Sequence, residues 1–269
     1  MRTVLLAVVA ALVLASAASA TFPGKNGRLV YSADDAHLYS VLPTGKGLRR
    51  ISDGIDFGAS FSPDGKSIAF SRQEGESPLA TIWTAAADGS GAHRVTDAAA
   101  ARFLVQPSWT RDGRIVYADA SCIWAVPATQ LTCGGGEIVQ YPLPSPVDDR
   151  LAFFRSRPRD GRAGMISADQ LWLGDAATSV LATKGDWSPD GTRLLLRLAD
   201  GTLAVLGVET GALTKLALKT SDFTWSPDGK QIAYVAKGRI WIAAVDGTRP
   251  RAVVTVGEAG GLAWQPLPR

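Results

Sequence analysis

Phe61-Ser-Pro-Asp-Gly65, Trp187-Ser-Pro-Asp-Gly191 and Trp225-Ser-Pro-Asp-Gly229 are three copies of one phrase, and Trp109-Thr-Arg-Asp-Gly113 is a near-copy. Pro146-Val-Asp-Asp149 and Gly24-Lys-Asn-Gly27 are degenerate members of the series. Each leads into a short apolar run: Leu29-Val-Tyr31, Ile68-Ala-Phe70, Ile115-Val-Tyr117, Leu151-Ala-Phe153, Leu194-Leu195 and Ile232-Ala-Tyr234. The turn position recurs at 27, 65, 113, 149, 191 and 229. The mean interval is about 40 residues, the length of a four-stranded propeller blade.

Every part of the phrase has a physical use. The aromatic residue is a large apolar anchor for the space between two units. Proline presets φ for the first corner of a tight turn, and Asp-Gly tolerates the positive φ that a hairpin needs. The β-branched and aromatic run that follows reads as the returning strand. A third strand brings a second aromatic, at Tyr39, Trp83, Trp124, Trp172 and Trp241, with Leu203 at the equivalent place in the fifth unit. Further turns at Asp88-Gly89, Thr210-Gly211 and Asp246-Gly247 lead to a fourth strand. One such sheet cannot bury both faces by itself, so the units must stack.

The two ends of the chain complement each other. The first unit begins at its second strand, Asn26-Gly-Arg-Leu-Val-Tyr31, and Leu262-Ala-Trp264-Gln-Pro266 supplies a first strand and then stops. A ring in which the C-terminal strand completes the first blade explains both halves and removes exposed sheet edges. The expected fold is all-β: a six-bladed β-propeller of four-stranded antiparallel blades, the first closed by the C-terminal strand.

The aromatic-Ser-Pro-Asp-Gly pattern, followed by Ile-Ala-Phe/Tyr, Ile-Trp, Asp-Gly and Arg-x-Thr, resembles the WD40-like propeller repeats of the TolB family. The copies at Phe61–Thr96, Trp187–Leu216 and Trp225–Thr255 are close, and the other three extend the likeness over most of the chain. The resemblance implies a propeller and a place in the cell envelope, since TolB is a periplasmic component of the Tol-Pal system. TolB carries a separate domain ahead of its propeller; here the repeats start soon after the leader described next. Such repeats serve many roles, so the motif speaks for fold more than for function.

Residues 1–20 read as a secretory signal peptide. Arg2 gives a positive start, Val4 to Leu14 is an apolar run, and Ala18-Ser19-Ala20 is a small-x-small cleavage site. The run is short for a bilayer span, so no stable membrane span is expected after cleavage. Residues 21–269 form the propeller domain, exported to the periplasm or beyond, and a monomer is expected. Without Arg2 the chain carries 27 basic against 25 acidic side chains, which argues against a nucleic-acid partner. Cys122 and Cys133, eleven positions apart, are expected to form a disulfide in an oxidising compartment. Loop closure gives such a bridge about 2–3 kcal/mol.

Nucleophilic catalysis has little support. His37 and His93 are the only histidines and no Gly-x-Ser-x-Gly elbow is present. Asp64, Asp112, Asp190 and Asp228 belong to hairpin turns on separate blades and read as turn formers. A second acidic set, Asp56, Asp186, Asp222 and Glu258, falls on or near the innermost strands around the channel. Carboxylates from several blades could hold Ca²⁺, which takes many oxygens. Their offsets before the aromatic anchor are five, one, three and six residues, so they do not form one ring at one height. No cofactor is expected otherwise.

Uneven blades mark one rim. From turn to third-strand aromatic the distance is eleven or twelve residues in four blades, eighteen in the second and twenty-three in the fourth. The extra residues lie around Gln73–Ala80 and Arg155–Asp169, and Asp97–Pro107 is a long link between blades 2 and 3. All three emerge opposite the Ser-Pro-Asp-Gly turns, and insertions on one face of a repeat protein often form its binding face. Arg155, Arg157, Arg159 and Arg162 would offer an acidic protein or an anionic glycan a basic surface there. The expectation is an exported binding scaffold. The alternative is a metal-dependent sugar or lactone hydrolase or lyase working at the channel mouth.

Overall fold

A computed structural model describes residues 19–75, 79–97, 105–156 and 169–269. The described residues form six blades arranged as a propeller. Blade 2 runs Ile55–Phe61, Ser67–Gln73, Ala80–Ala86 and His93–Arg94; blade 3 runs Val105–Trp109, Ile115–Ala118, Cys122–Ala125 and Thr129–Cys133. Blade 4 comprises Ile138–Pro144, Leu151–Ser156, Asp169–Leu173 and Ala176–Ala182. Blade 5 comprises Lys184–Trp187, Arg193–Arg197, Thr202–Gly207 and Leu213–Lys219, and blade 6 Asp222–Trp225, Gln231–Ala236, Arg239–Ala244 and Arg251–Thr255. Neighbouring strands within each blade are antiparallel, as the repeat predicts.

Blade 1 is shared between the two ends of the chain. Lys25–Ser32, Leu38–Val41 and Arg49–Arg50 supply three strands, and Gly260–Leu267 supplies the innermost one. The closing strand pairs antiparallel with Lys25–Ser32, setting Leu29 opposite Trp264 and Val30 opposite Ala263. The closure also grips blade 2. Gln265 Nε2 donates to the Gly65 carbonyl at 2.8 Å, and a Cβ at Gly65 would stand 1.8 Å from the Pro266 carbonyl oxygen.

The repeated turn is held by its own side chains. Ser62 Oγ donates to Asp64 Oδ1 at 2.7 Å, and the backbone N–H groups of Lys66 and Ser67 donate to Asp64 and Ser62. Gly65 takes φ +68°, the region the hairpin demands. The same serine-to-aspartate bond measures 2.6 Å at Ser188–Asp190 and at Ser226–Asp228. The Ser62 hydroxyl and the Lys66 N–H hold the Asp64 carboxyl below the usual carboxylate range. These aspartates are turn formers, as the sequence implies.

The aromatic anchors fill the gaps between blades. Trp187 is fully buried against Leu143, Ala152 and Phe154 of blade 4, and its Nε1 donates to the Leu143 carbonyl at 2.8 Å. Trp225 packs on Leu195 and Leu203 of blade 5 and donates to the Asp186 carbonyl at 3.2 Å. The second set of aromatics forms cross-strand pairs, which stabilise sheets: Tyr31 with Tyr39, Phe70 with Trp83, Tyr117 with Trp124, Phe153 with Trp172, Tyr234 with Trp241. In blade 5 the matching pair is Leu196 with Ala204. The equivalent position there is therefore Ala204 and not Leu203, a register that the missing aromatic concealed.

Cys122 and Cys133 face each other across the outer hairpin of blade 3 and are bonded. Both histidines make local hydrogen bonds: His37 Nδ1 meets the Gly54 carbonyl at 2.8 Å, and His93 Nε2 meets Thr84 Oγ1 at 3.1 Å. No helix among the described residues is long and apolar enough to cross a membrane.

Candidate functional site

Each blade turns its first strand toward the channel, so the edge of that strand and its side chains decide what the centre can do. A two-residue strand, Ser19–Ala20, lies in this space and pairs parallel with blade 5, Ser19 opposite Asp186 and Ala20 opposite Trp187. The chain then runs out beside the sixth turn, where the Gly24 N–H donates to the Pro227 carbonyl at 3.0 Å. An inner strand edge is a row of unsatisfied N–H and C=O groups, and an added strand satisfies them.

Three of the four carboxylates named from the sequence are buried in the inner wall, each in a different setting. Asp222 is fully buried. Its Oδ1 accepts the Phe223 N–H at 2.6 Å and touches the Lys184 ammonium, while its Oδ2 accepts the Leu262 N–H at 3.1 Å. One carboxylate thus joins blades 5, 6 and 1. Lys184 is also buried, an expensive place for a charge without a partner. Burial pulls its ammonium down to about 7, with Asp186 opposing the fall and Arg197 adding to it.

Asp186 links blades 5 and 6. Its Oδ2 accepts the Trp225 N–H at 2.7 Å, the Thr224 hydroxyl at 3.1 Å and the Thr21 hydroxyl at 3.0 Å. Its Oδ1 is buried and has no hydrogen-bond partner among the described residues. Burial pushes the carboxyl up to about 7, opposed first by the Trp225 N–H and then by Thr21.

Asp56 takes a bidentate pair from Arg72, at 2.6 and 2.8 Å, within blade 2. The Arg72 guanidinium also lies over the Trp83 ring at 4.5 Å. Glu258 is exposed, on the link to the closing strand. The four acids therefore do not share one locus, and no three His, Cys, Asp or Glu side chains among the described residues are grouped as ion ligands. Sequence reading missed Lys184 and Thr21. Lys184 had a signal, since two residues before Asp186 on a strand means the same face; Thr21 had none.

Of the four rim arginines, Arg155 is described, while Arg157, Arg159 and Arg162 lie outside the described residues. Arg155 packs over the Trp172 ring at 4.4 Å and donates to the Cys133 carbonyl at 2.7 Å. It binds blade 4 to the disulfide hairpin of blade 3. On the opposite, Ser-Pro-Asp-Gly face, a cleft of about 270 Å³ separates blades 3 and 4. Its charges are largely paired with one another: Arg111 with Asp149 at 2.9 Å, Arg114 with Asp112 and Arg150 with Asp148 both at 2.8 Å.

The chain matches no protein-family model and no curated protein. Solved structures do resemble it. TolB from Acinetobacter baumannii superposes with TM-score 0.67 at 19% identity, covering 91% of this chain and 68% of that one. A chain of the nidogen/laminin complex gives 0.69 at 10% identity, covering 90% and 99%. The tricorn protease gives 0.62 at 17% identity, covering 88% of this chain and 26% of that one. At these identities the likeness establishes the fold alone, a β-propeller.

Proposed function

We propose that this chain is an exported propeller scaffold of the cell envelope or extracellular space that holds a protein partner. One observation carries the reading: the inner edge of blade 5 takes an extended segment, Ser19–Ala20, as an added strand. A channel that accepts one strand in this way has the backbone chemistry to accept another, with main-chain hydrogen bonds giving affinity and wall side chains giving selectivity. The long links that the sequence places within and between blades 2 to 4, with their arginines, would offer a partner further contacts.

Export fits the leader, the Cys122–Cys133 bond and the likeness to TolB. The inner carboxylates do structural work between strands and blades, which favours a scaffold over the hydrolase or lyase alternative. The test is photo-crosslinking from single rim and channel positions in intact cells, followed by identification of the captured molecule. A discrete protein captured from rim and channel positions, and not from the outer strands, supports the proposal. Capture of glycan alone, or equal labelling from every surface, sinks it.

A further inference from the structure

We propose that cutting the leader after Ala20 supplies the channel with a missing cation: the new α-ammonium of Thr21 pairs with Asp186 and locks blade 5 to blade 6. This rests on the export reading above. Hydrolysis of the Ala20–Thr21 amide by an export protease consumes one water. It leaves a carboxylate on the departing Ala20 and an amine on Thr21, which is mostly protonated near neutral pH, its ordinary pKa being about 7.7–8.0.

The geometry brings that amine within reach of Asp186. Thr21 is buried, its hydroxyl lies 3.0 Å from Asp186 Oδ2, and its main-chain nitrogen is three bonds from that hydroxyl. Asp186 Oδ1 is the oxygen left without a partner. The groups facing Asp186 are the Lys184 ammonium on its own strand and, from blade 6, the Thr224 hydroxyl and the Trp225 N–H. Lys184 does not fill the vacancy, because its ammonium is in contact with Asp222. An isolated carboxylate at this depth is costly, whereas one sharing hydrogen bonds with an ammonium is compensated. Burial raises the Asp186 carboxyl, and an ammonium held against it would oppose that rise.

The cleavage motif Ala18-Ser19-Ala20 sets the cut at the bond that generates this amine. The departing Ser19–Ala20 also vacates the blade 5 edge, so one event locks blade 5 to blade 6 and frees that edge.

The full chain with its leader is expressed in an exporting bacterial host, and the intact mass of the exported protein fixes its terminus. The rate of α-amine acetylation is then followed against pH in the native and the denatured protein. The expected result is a terminus at Thr21, native acetylation at least tenfold slower than in denaturant, and an α-amine pKa above about 8. Asp186→Asn is expected to lower that pKa. A Thr21 amine whose native pKa equals or falls below the ordinary value overturns the pairing, because burial without a counter-charge depresses an amine. That comparison holds in the unmutated protein even if the variant fails to fold. A leader still attached, or a cut elsewhere, overturns the cleavage reading instead.

Discussion

Asp222 accepts the Leu262 N–H at 3.1 Å and thereby fastens blade 6 to the strand that closes blade 1. The same carboxylate is the counter-charge of buried Lys184. Ring closure is therefore served at the channel as well as by the Gly260–Leu267 pairing.

Removing Asp222 strands a buried ammonium. Asp222→Ala is expected to cost about 3–5 kcal/mol of unfolding free energy, the usual penalty for breaking a buried pair. The double variant Lys184→Met with Asp222→Asn should recover most of the loss, since Asn keeps an acceptor for the Leu262 N–H. Urea denaturation of the three proteins checks the order; a double variant no better than the single one contradicts it.

Gly65 and Gly113 hold the same place in the repeat, with φ of +68° and +81°. A side chain at either pays the left-handed penalty of about 1–2 kcal/mol. At Gly113 a Cβ has nothing within 4 Å, whereas at Gly65 it meets the Pro266 carbonyl at 1.8 Å. Gly65→Ala should therefore lower the melting temperature roughly twice as far as Gly113→Ala, or more.

Arg155 and the three arginines beyond it should separate by phenotype. Arg155→Ser removes the Trp172 stack and the bond to the Cys133 carbonyl, and is expected to cost about 1–2 kcal/mol. The triple replacement of Arg157, Arg159 and Arg162 by Ser is expected to stay within about 0.5 kcal/mol of the parent while weakening partner capture. Thermal melts paired with the crosslinking assay read both effects.

Asp186 gives a pH signature while Thr21 remains in peptide linkage. Its folded value is raised to about 7 by burial, against an unfolded value of about 3.9. A raised folded value contributes stability that is fully present below the unfolded value and is lost as pH climbs through the folded one. In the leader-bearing chain, stability relative to Asp186→Asn should fall between about pH 4 and 7 and then level off. Unfolding measured across that range in both proteins decides it; a difference that rises with pH would contradict the assignment.

The repeat made the propeller legible because its determinants are local. Ser62, Pro63, Asp64 and Gly65 shape their own turn, and strand periodicity follows from the residues beside them. The split first blade was legible for the same reason, since the missing strand and the surplus strand each carry the repeat's own pattern. Where the pattern lapses, as at Leu196 and Ala204, the register had to come from pairing. The channel was different in kind. Asp56, Asp186 and Asp222 could be assigned to inner strands, yet their partners are Arg72 sixteen residues away, Thr224 thirty-eight away and Leu262 forty away. Such partners are chosen by how the blades close on one another and by the need to neutralise charge where water is excluded. The sequence alone determined the ring, its blade count and its closure; the tertiary structure alone decided that Thr21 lies against Asp186, because only the assembled channel brings the two together.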